Sequence, residues 1–247
     1  MGNYISSECL KQRHTFTEKL VWAAPLLSLF ISGFAPLWYQ QNSYNWWYVL
    51  LYPSCLTLLC VLVDQRDSVR LKYRAVYPLP VELKKIWYAK ITICIIYIAA
   101  ANLLLMLGNL LGGMIIWQVF HIPMKVSMIQ ALGGTLCILI TSVWNIPLCL
   151  WLSRKTGGFA ALIINVGMSV IAGVFGAGTV FWILCPYSWT SRLMVPILRI
   201  LPNGEPASPG DLATPFPLII LAALLSLVLL YILSKATAES FAGEEVH

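Results

Sequence analysis

Six times along this chain, about 20 apolar residues follow one another, the length an α-helix needs to cross the hydrocarbon of a bilayer. The runs cover residues 20–38, 46–63, 87–111, 128–152, 159–184 and 216–233. They leave too little polar sequence to coat a soluble domain: 59% of the residues are hydrophobic and 11% charged, with a mean hydropathy of +0.78. The expectation is a single all-α integral membrane domain over residues 1–247 with six spans. The first run starts after a polar segment and continues for a membrane thickness, so a spanning helix is expected there rather than a cleavable signal.

An even number of spans puts both termini in one compartment, and the bases say which. Lys11, Arg13, Lys19, Arg66, Arg70, Lys72, Arg74, Lys84, Lys85, Lys90, Arg154, Lys155 and Lys235 fall on the terminal side; Lys125, Arg192 and Arg199 fall opposite. That asymmetry places both termini in the cytoplasm. The net charge of +6 then reports orientation, and nucleic acid is not an expected partner. Trp38, Tyr39, Tyr44, Trp46 and Trp47 are expected at one outer headgroup boundary, and Trp182, Tyr187 and Trp189 at another. Tyr77, Trp87, Tyr88 and Trp151 mark the inner boundary, while Trp144 falls inside a span.

Three segments outside the runs carry the organisation. Residues 1–19 read as a cytoplasmic elbow, with Thr15 and Glu18 at capping-box spacing. Residues 64–86 form the inner loop between spans two and three. Residues 185–215 form an outer loop with the amphipathic stretch "YSWTSRLMVPILRIL", read as one or two short helices lying in the outer interface. Pro25, Pro53 and Pro147 should kink their spans. The small residues of 108–112 and 172–178 permit close helix contact.

The runs offer little chemistry. With Lys90 assigned to the inner loop, their interiors are read as free of ionisable side chains; Asn102, Asn109, Gln130, Thr135, Thr141, Asn145, Asn165 and Ser169 supply amides and hydroxyls for interhelical hydrogen bonds. That weighs against a proton-coupled carrier. The seven cysteines have no CxxC pair, and His14, His121 and His247 lack metal-ligand spacing. There is no GxxxxGK[ST] and no GxSxG, so neither a Walker site nor a hydrolase elbow is expected. Energy has to come from a partner or a gradient. The inner loop is the place for that partner: "VDQRDSVRLKYRAVY" would set Arg66, Arg70 and Arg74 four apart on a helix, with Asp67 and Arg70 at pairing distance, before Pro78 ends it. A cytosolic protein surface and anionic lipid headgroups are both fitting contacts for it.

The pattern of acid, bases, "LP", bases and Lys in this loop resembles the permeases of ABC-2 type exporters. "MGNY" with "LKQRHTFTEKLVWAAP", "SYNWWY", "LKYRA" with "LP" and "KIW", "WNIPLCLWL" and "RLMVPILRILPNGEP" resemble more specifically the lantibiotic-immunity permeases of the MutE/EpiE type, over residues 1–206. The stretch "GGMIIWQVFHIPMKVS" does not match. The resemblance implies a permease subunit of a bacterial plasma-membrane ABC transporter that expels lantibiotic-type antimicrobial peptides. Such a subunit pairs with a second related permease and two copies of a cytosolic ABC ATPase, which binds ATP and Mg; the chain itself needs no cofactor and is not an enzyme. Residues 64–77 would form the ATPase-coupling helix, with Asp64, Arg66, Asp67, Arg70, Lys72, Tyr73, Arg74 and Tyr77 at the contact. Residues 187–203 would form outer helices, with Trp189, Arg192, Met194, Arg199 and Asn203 handling peptide. The alternatives are a non-transporting immunity protein that sequesters the peptide and, less favoured by the residues, a membrane-embedded enzyme.

Overall fold

A computed structural model describes residues 1–67, 82–211 and 213–243. They form α1 (Gly2–Gln12), α2 (Phe16–Gly33), α3 (Tyr39–Trp46), α4 (Tyr52–Gln65), α5 (Leu83–Phe120), α6 (Met128–Ser142), α7 (Asn145–Thr156), α8 (Gly158–Val170), α9 (Pro186–Leu198) and α10 (Phe216–Gly243). A π-helical turn at Trp47–Leu51 joins α3 to α4, and another at Ile171–Gly176 extends α8. Among the described residues, four continuous helical stretches are long and apolar enough to cross a membrane: Pro36–Gln65, Leu83–Phe120, Gly158–Gly176 and Phe216–Gly243. The pair α6–α7, bent by 47°, makes a fifth if taken as one span. The remaining run falls on α2, which begins at Phe16 and carries Glu18 and Lys19 near its start.

The elbow behaves partly as its spacing suggests. Thr15 caps α2 by accepting from Thr17 N, while the Glu18 carboxylate reaches back to His14 N at 2.7 Å rather than to the cap residue itself. His14, at φ 59°, turns the chain between α1 and α2. A full capping box opens α6 instead, where Ser127 and Gln130 exchange side-chain and backbone hydrogen bonds.

One end of the bundle gathers the start of α5, the ends of α4, α7 and α10, and α1. Trp87 on α5 stacks on Phe241 of α10 at 4.8 Å and donates to Thr237 at 2.9 Å, and Arg154 of α7 lies 4.5 Å over the same Phe241 ring. Gly158, at the start of α8, meets Val61 and Gln65 of α4. Between the two ends, interior contacts are made by neutral polar groups. Trp47 donates to Asn102 at 2.8 Å; Asn109 donates to Gln40 O and Ser43 Oγ at 2.8 and 2.6 Å; Tyr44 bonds Ala131 O and Thr135; and Asn165 joins Thr57 to Tyr187. Each such interhelical bond contributes ~0.6 kcal/mol in a membrane bundle.

Several expectations change here. Tyr44, Trp47 and Trp87 are wholly buried, so hydrogen bonding inside the bundle fixes them rather than the headgroup layer. The span expected over 87–111 continues to Phe120, where His121 in the left-handed region stops it. At 38 residues α5 is about 57 Å long, nearly twice the ~30 Å hydrocarbon. Among the described residues of 185–215 the one α-helix begun there is α9, and much of it is packed against protein. Ser188, Trp189, Ser191, Leu193, Met194, Val195 and Leu198 are buried, because α9 inserts against α6 and the π turn after α8. Pro147, lacking an N–H, follows the break at 143–144, where Trp144 Nε1 caps Thr141 O and Ser226 caps Ile140 O.

The small-residue stretch works as its spacing implies. A Cβ at Gly112 would sit 2.1 Å from the Tyr39 hydroxyl oxygen, and one at Gly108 2.2 Å from Leu29. Gly112→Ala is therefore expected to cost roughly 1–3 kcal/mol. The melting temperature of the purified protein should fall accordingly and recover in part when Tyr39→Leu removes the obstructing ring.

Candidate functional site

Where the inner loop leaves α4, five ionised side chains interlock. Lys90, on the second turn of α5, is completely buried. Its Nζ lies 2.9 Å from Asp67 Oδ2 and 3.6 Å from Asp64 Oδ1, and it donates to Val63 O at 3.4 Å. Asp67 also accepts from Lys11 of α1 at 3.1 and 3.2 Å, and Lys11 reaches Glu8 Oε1 at 2.6 Å. The order Glu8, Lys11, Asp67, Lys90, Asp64 thus ties the N-terminal helix to both helices that flank the inner loop. A buried ammonium persists only with counter-ions and hydrogen bonds around it, and the end of α4 supplies Asp64, Asp67 and Val63 O.

Proton affinities follow the geometry. Burial disfavours the Lys11 ammonium, but the charges of Glu8 and Asp67 and the hydrogen bonds to them raise it above the ordinary lysine value. Burial pushes the Asp67 carboxyl upward, yet Lys90 and Lys11 outweigh it and hold the group below the usual aspartate range.

Of the residues expected at the coupling contact, Asp64 and Asp67 turn inward to this cluster. Asp67 is held by Lys11 and Lys90, and its expected pairing with Arg70 falls outside the described residues. Arg66 is half-buried and lines a hollow between α4 and the α1–α2 turn. Arg70, Lys72, Tyr73, Arg74 and Tyr77 lie outside the described residues. Lys90, counted as a loop base from its sequence, is the correction: it belongs inside α5. The signal was available, since Lys90 falls inside the apolar run 87–111. Glu8 and Lys11 had no such marker.

The outer residues divide. Trp189 and Met194 are buried; Trp189 Nε1 donates to Ile183 O at 2.9 Å, and its ring meets Trp144 edge-on at 6.5 Å. Arg192 is bound to Ala177 O at 3.0 Å and Thr214 Oγ1 at 3.2 Å, with its guanidinium 5.6 Å from the Trp182 ring centre. Arg199 and Asn203 are exposed, Asn203 donating to Glu205 at 3.0 Å. An open cavity of about 500 Å3 lies beyond, between Val174, Phe175 and Gly178 on one side and Leu201, Pro202, Asn203 and Asp211 on the other. Of the five expected peptide-handling residues, Asn203 alone lines it.

A family model described as "ABC-2 family transporter protein" matches residues 14–201, about three quarters of the chain. The chain belongs to this family. No curated protein and no solved structure matched. An ABC-2 protein is a multi-pass membrane permease, which accords with the apolar helices, and the family implies an ABC ATPase partner. Within this ABC-2 protein the match includes Asp64, Asp67 and Lys90, whereas Glu8, Lys11 and α10 fall outside it.

Lys90→Met would leave two carboxylates without their buried cation and is expected to destabilise the ABC-2 permease by about 3–5 kcal/mol. Denaturant unfolding in detergent should show the loss, and adding Asp64→Asn and Asp67→Asn should restore most of it. The pH dependence has a defined sign. Because the Asp67 pKa is depressed, its contribution is complete above the ordinary aspartate value of about 3.9 and is lost as pH falls through the lower folded value. The raised Lys11 pKa gives a contribution complete below about 10.4 and lost as pH rises through the higher folded value. Melting temperature against pH should decline at both extremes, with Asp67→Asn weakening the acid decline.

Proposed function

We propose that the chain is the permease subunit of an ABC exporter that expels lantibiotic-type antimicrobial peptides from a bacterial plasma membrane, conferring immunity or resistance. The family match over residues 14–201 carries the permease part of this reading. The peptide part rests on the sequence resemblance to lantibiotic-immunity permeases. In this account a cytosolic ABC ATPase, present in two copies, binds ATP and Mg and acts on residues 64–77, while a second related permease completes the membrane unit.

Six spans with cytoplasmic termini fit this role, and helix contacts support the path. The Gln12–Thr17 turn before α2 lies beside Leu62 and Gln65 near the end of α4, so α2 starts at the end where α4 finishes. From there α5 leaves, α7 returns to bring Arg154 onto Phe241, α8 leaves from Gly158, and α10 returns to Trp87. The six passages of this reading are the four long apolar stretches, the bent α6–α7 pair and, as the sixth, α2. The excess of Lys and Arg assigns the shared end to the cytoplasm.

The outer cavity beside Asn203 and Asp211 offers apolar walls and a carboxylate rim to an amphipathic cationic peptide. Cells expressing the permease pair with an intact ATPase should survive a lantibiotic that kills cells carrying an ATPase unable to hydrolyse ATP. Equal survival with the inactive ATPase would replace expulsion with sequestration of the peptide by the permease alone.

A further inference from the structure

Between α1 and the start of α2 on one side, and the end of α4 on the other, lies a hollow of about 90 Å3. A single water needs about 10–15 Å3 of such space, so the hollow takes a group of several heavy atoms. Its lining favours an anion. Arg66 contributes a guanidinium and Gln65 an amide, the Thr15 and Thr17 hydroxyls donate to Gln12 O and Gln12 Oε1, and the hollow faces the N-terminus of the 18-residue helix α2. Backbone N–H groups there, and the helix dipole, attract negative charge.

Gln12 supplies the independent sign of a ligand. Its side chain is 1% exposed and lines the hollow. Its Oε1 accepts from Thr17 Oγ1 at 3.0 Å, whereas its Nε2 has no hydrogen-bond partner among the described residues. A buried amide N–H left unmade costs about 1–3 kcal/mol, and an acceptor placed in the hollow would remove that cost. Of the nearby acids, Glu18 is held on His14 N and Asp67 on Lys11 and Lys90, while Glu8 binds Lys11 through Oε1 and its Oε2 has no hydrogen-bond partner among the described residues. Phe16 and Leu62 add an apolar wall, and Phe16 is largely exposed.

We propose that this hollow is a phosphate-binding site, taking either the phosphodiester of a membrane phospholipid or a free phosphate between Arg66, the Gln12 amide and the start of α2. The group would bridge the elbow to the root of the inner loop, beside the ion cluster and separate from it. The proposal does not depend on the peptide reading.

The test uses the full chain purified in a neutral detergent and titrated separately with phosphatidylglycerol and with inorganic phosphate at constant ionic strength. Binding is read by native mass spectrometry and by the shift in melting temperature. One equivalent should bind, and Arg66→Gln and Gln12→Glu should each weaken it roughly tenfold or more. Arg66→Lys retains the charge and serves if the other variants do not fold; it should lose affinity several-fold because a single ammonium replaces the two-pronged guanidinium. A response to the lipid alone assigns the headgroup, to phosphate alone the free anion, and to both a site open to either. No response to either ligand, or responses that these substitutions leave unchanged, would overturn the proposal.

Discussion

A lysine ammonium inside a bundle of apolar helices has to be answered by opposite charge, and most of the inner architecture follows from how Lys90 is answered. Asp67 and Asp64 come from the end of α4, and Lys11 from α1 shares Asp67 while holding Glu8. The first helix is thereby fixed to the two helices between which the inner loop is strung. Desolvating these groups is costly, and burying them in apolar company would gain little by itself. What the cluster provides is registration: α1, α4 and α5 have one arrangement in which every ion meets its counterpart.

Local sequence patterns were informative where local physics decides. Run length located the apolar helices. The Gly108–Gly112 spacing identified a surface that Leu29 and Tyr39 approach closely, and Asn102 and Asn109 do make the interhelical bonds their position suggested. Patterns failed where the outcome depends on what a distant segment brings. Nothing near Lys90 announces that Asp67 will come to meet it or that Lys11 will share that carboxylate. The amphipathic look of residues 187–201 suits a helix on a membrane surface, yet Trp144, Trp182 and α6 provide a better place for its apolar side, and α9 enters the bundle. Tryptophan at a span end was read as a headgroup marker, but Trp47 and Trp87 each found a hydrogen-bond acceptor on another helix.

The candidate site was legible in the same uneven way. The inner loop was recognisable from its mixed charges, and family membership supports the kind of protein it serves. The roles of its residues were less readable, because charge on a helical wheel does not say which groups turn outward. Asp64 and Asp67 face inward, while Arg66 turns toward the elbow. At the outer end Met194 and Trp189 support α9 from within, and Asn203 is left at the rim of the open cavity.

The neutral character of the interior contacts has an electrical consequence. Moving one elementary charge across a membrane potential is worth ~2.3 kcal/mol per 100 mV. Trp47–Asn102, Tyr44–Thr135 and Thr57–Asn165–Tyr187 carry no net charge, and Lys90 is neutralised at one end of its helix. Sliding or tilting these helices against one another would therefore displace little gating charge. Such a rearrangement of these helices is nearly blind to voltage.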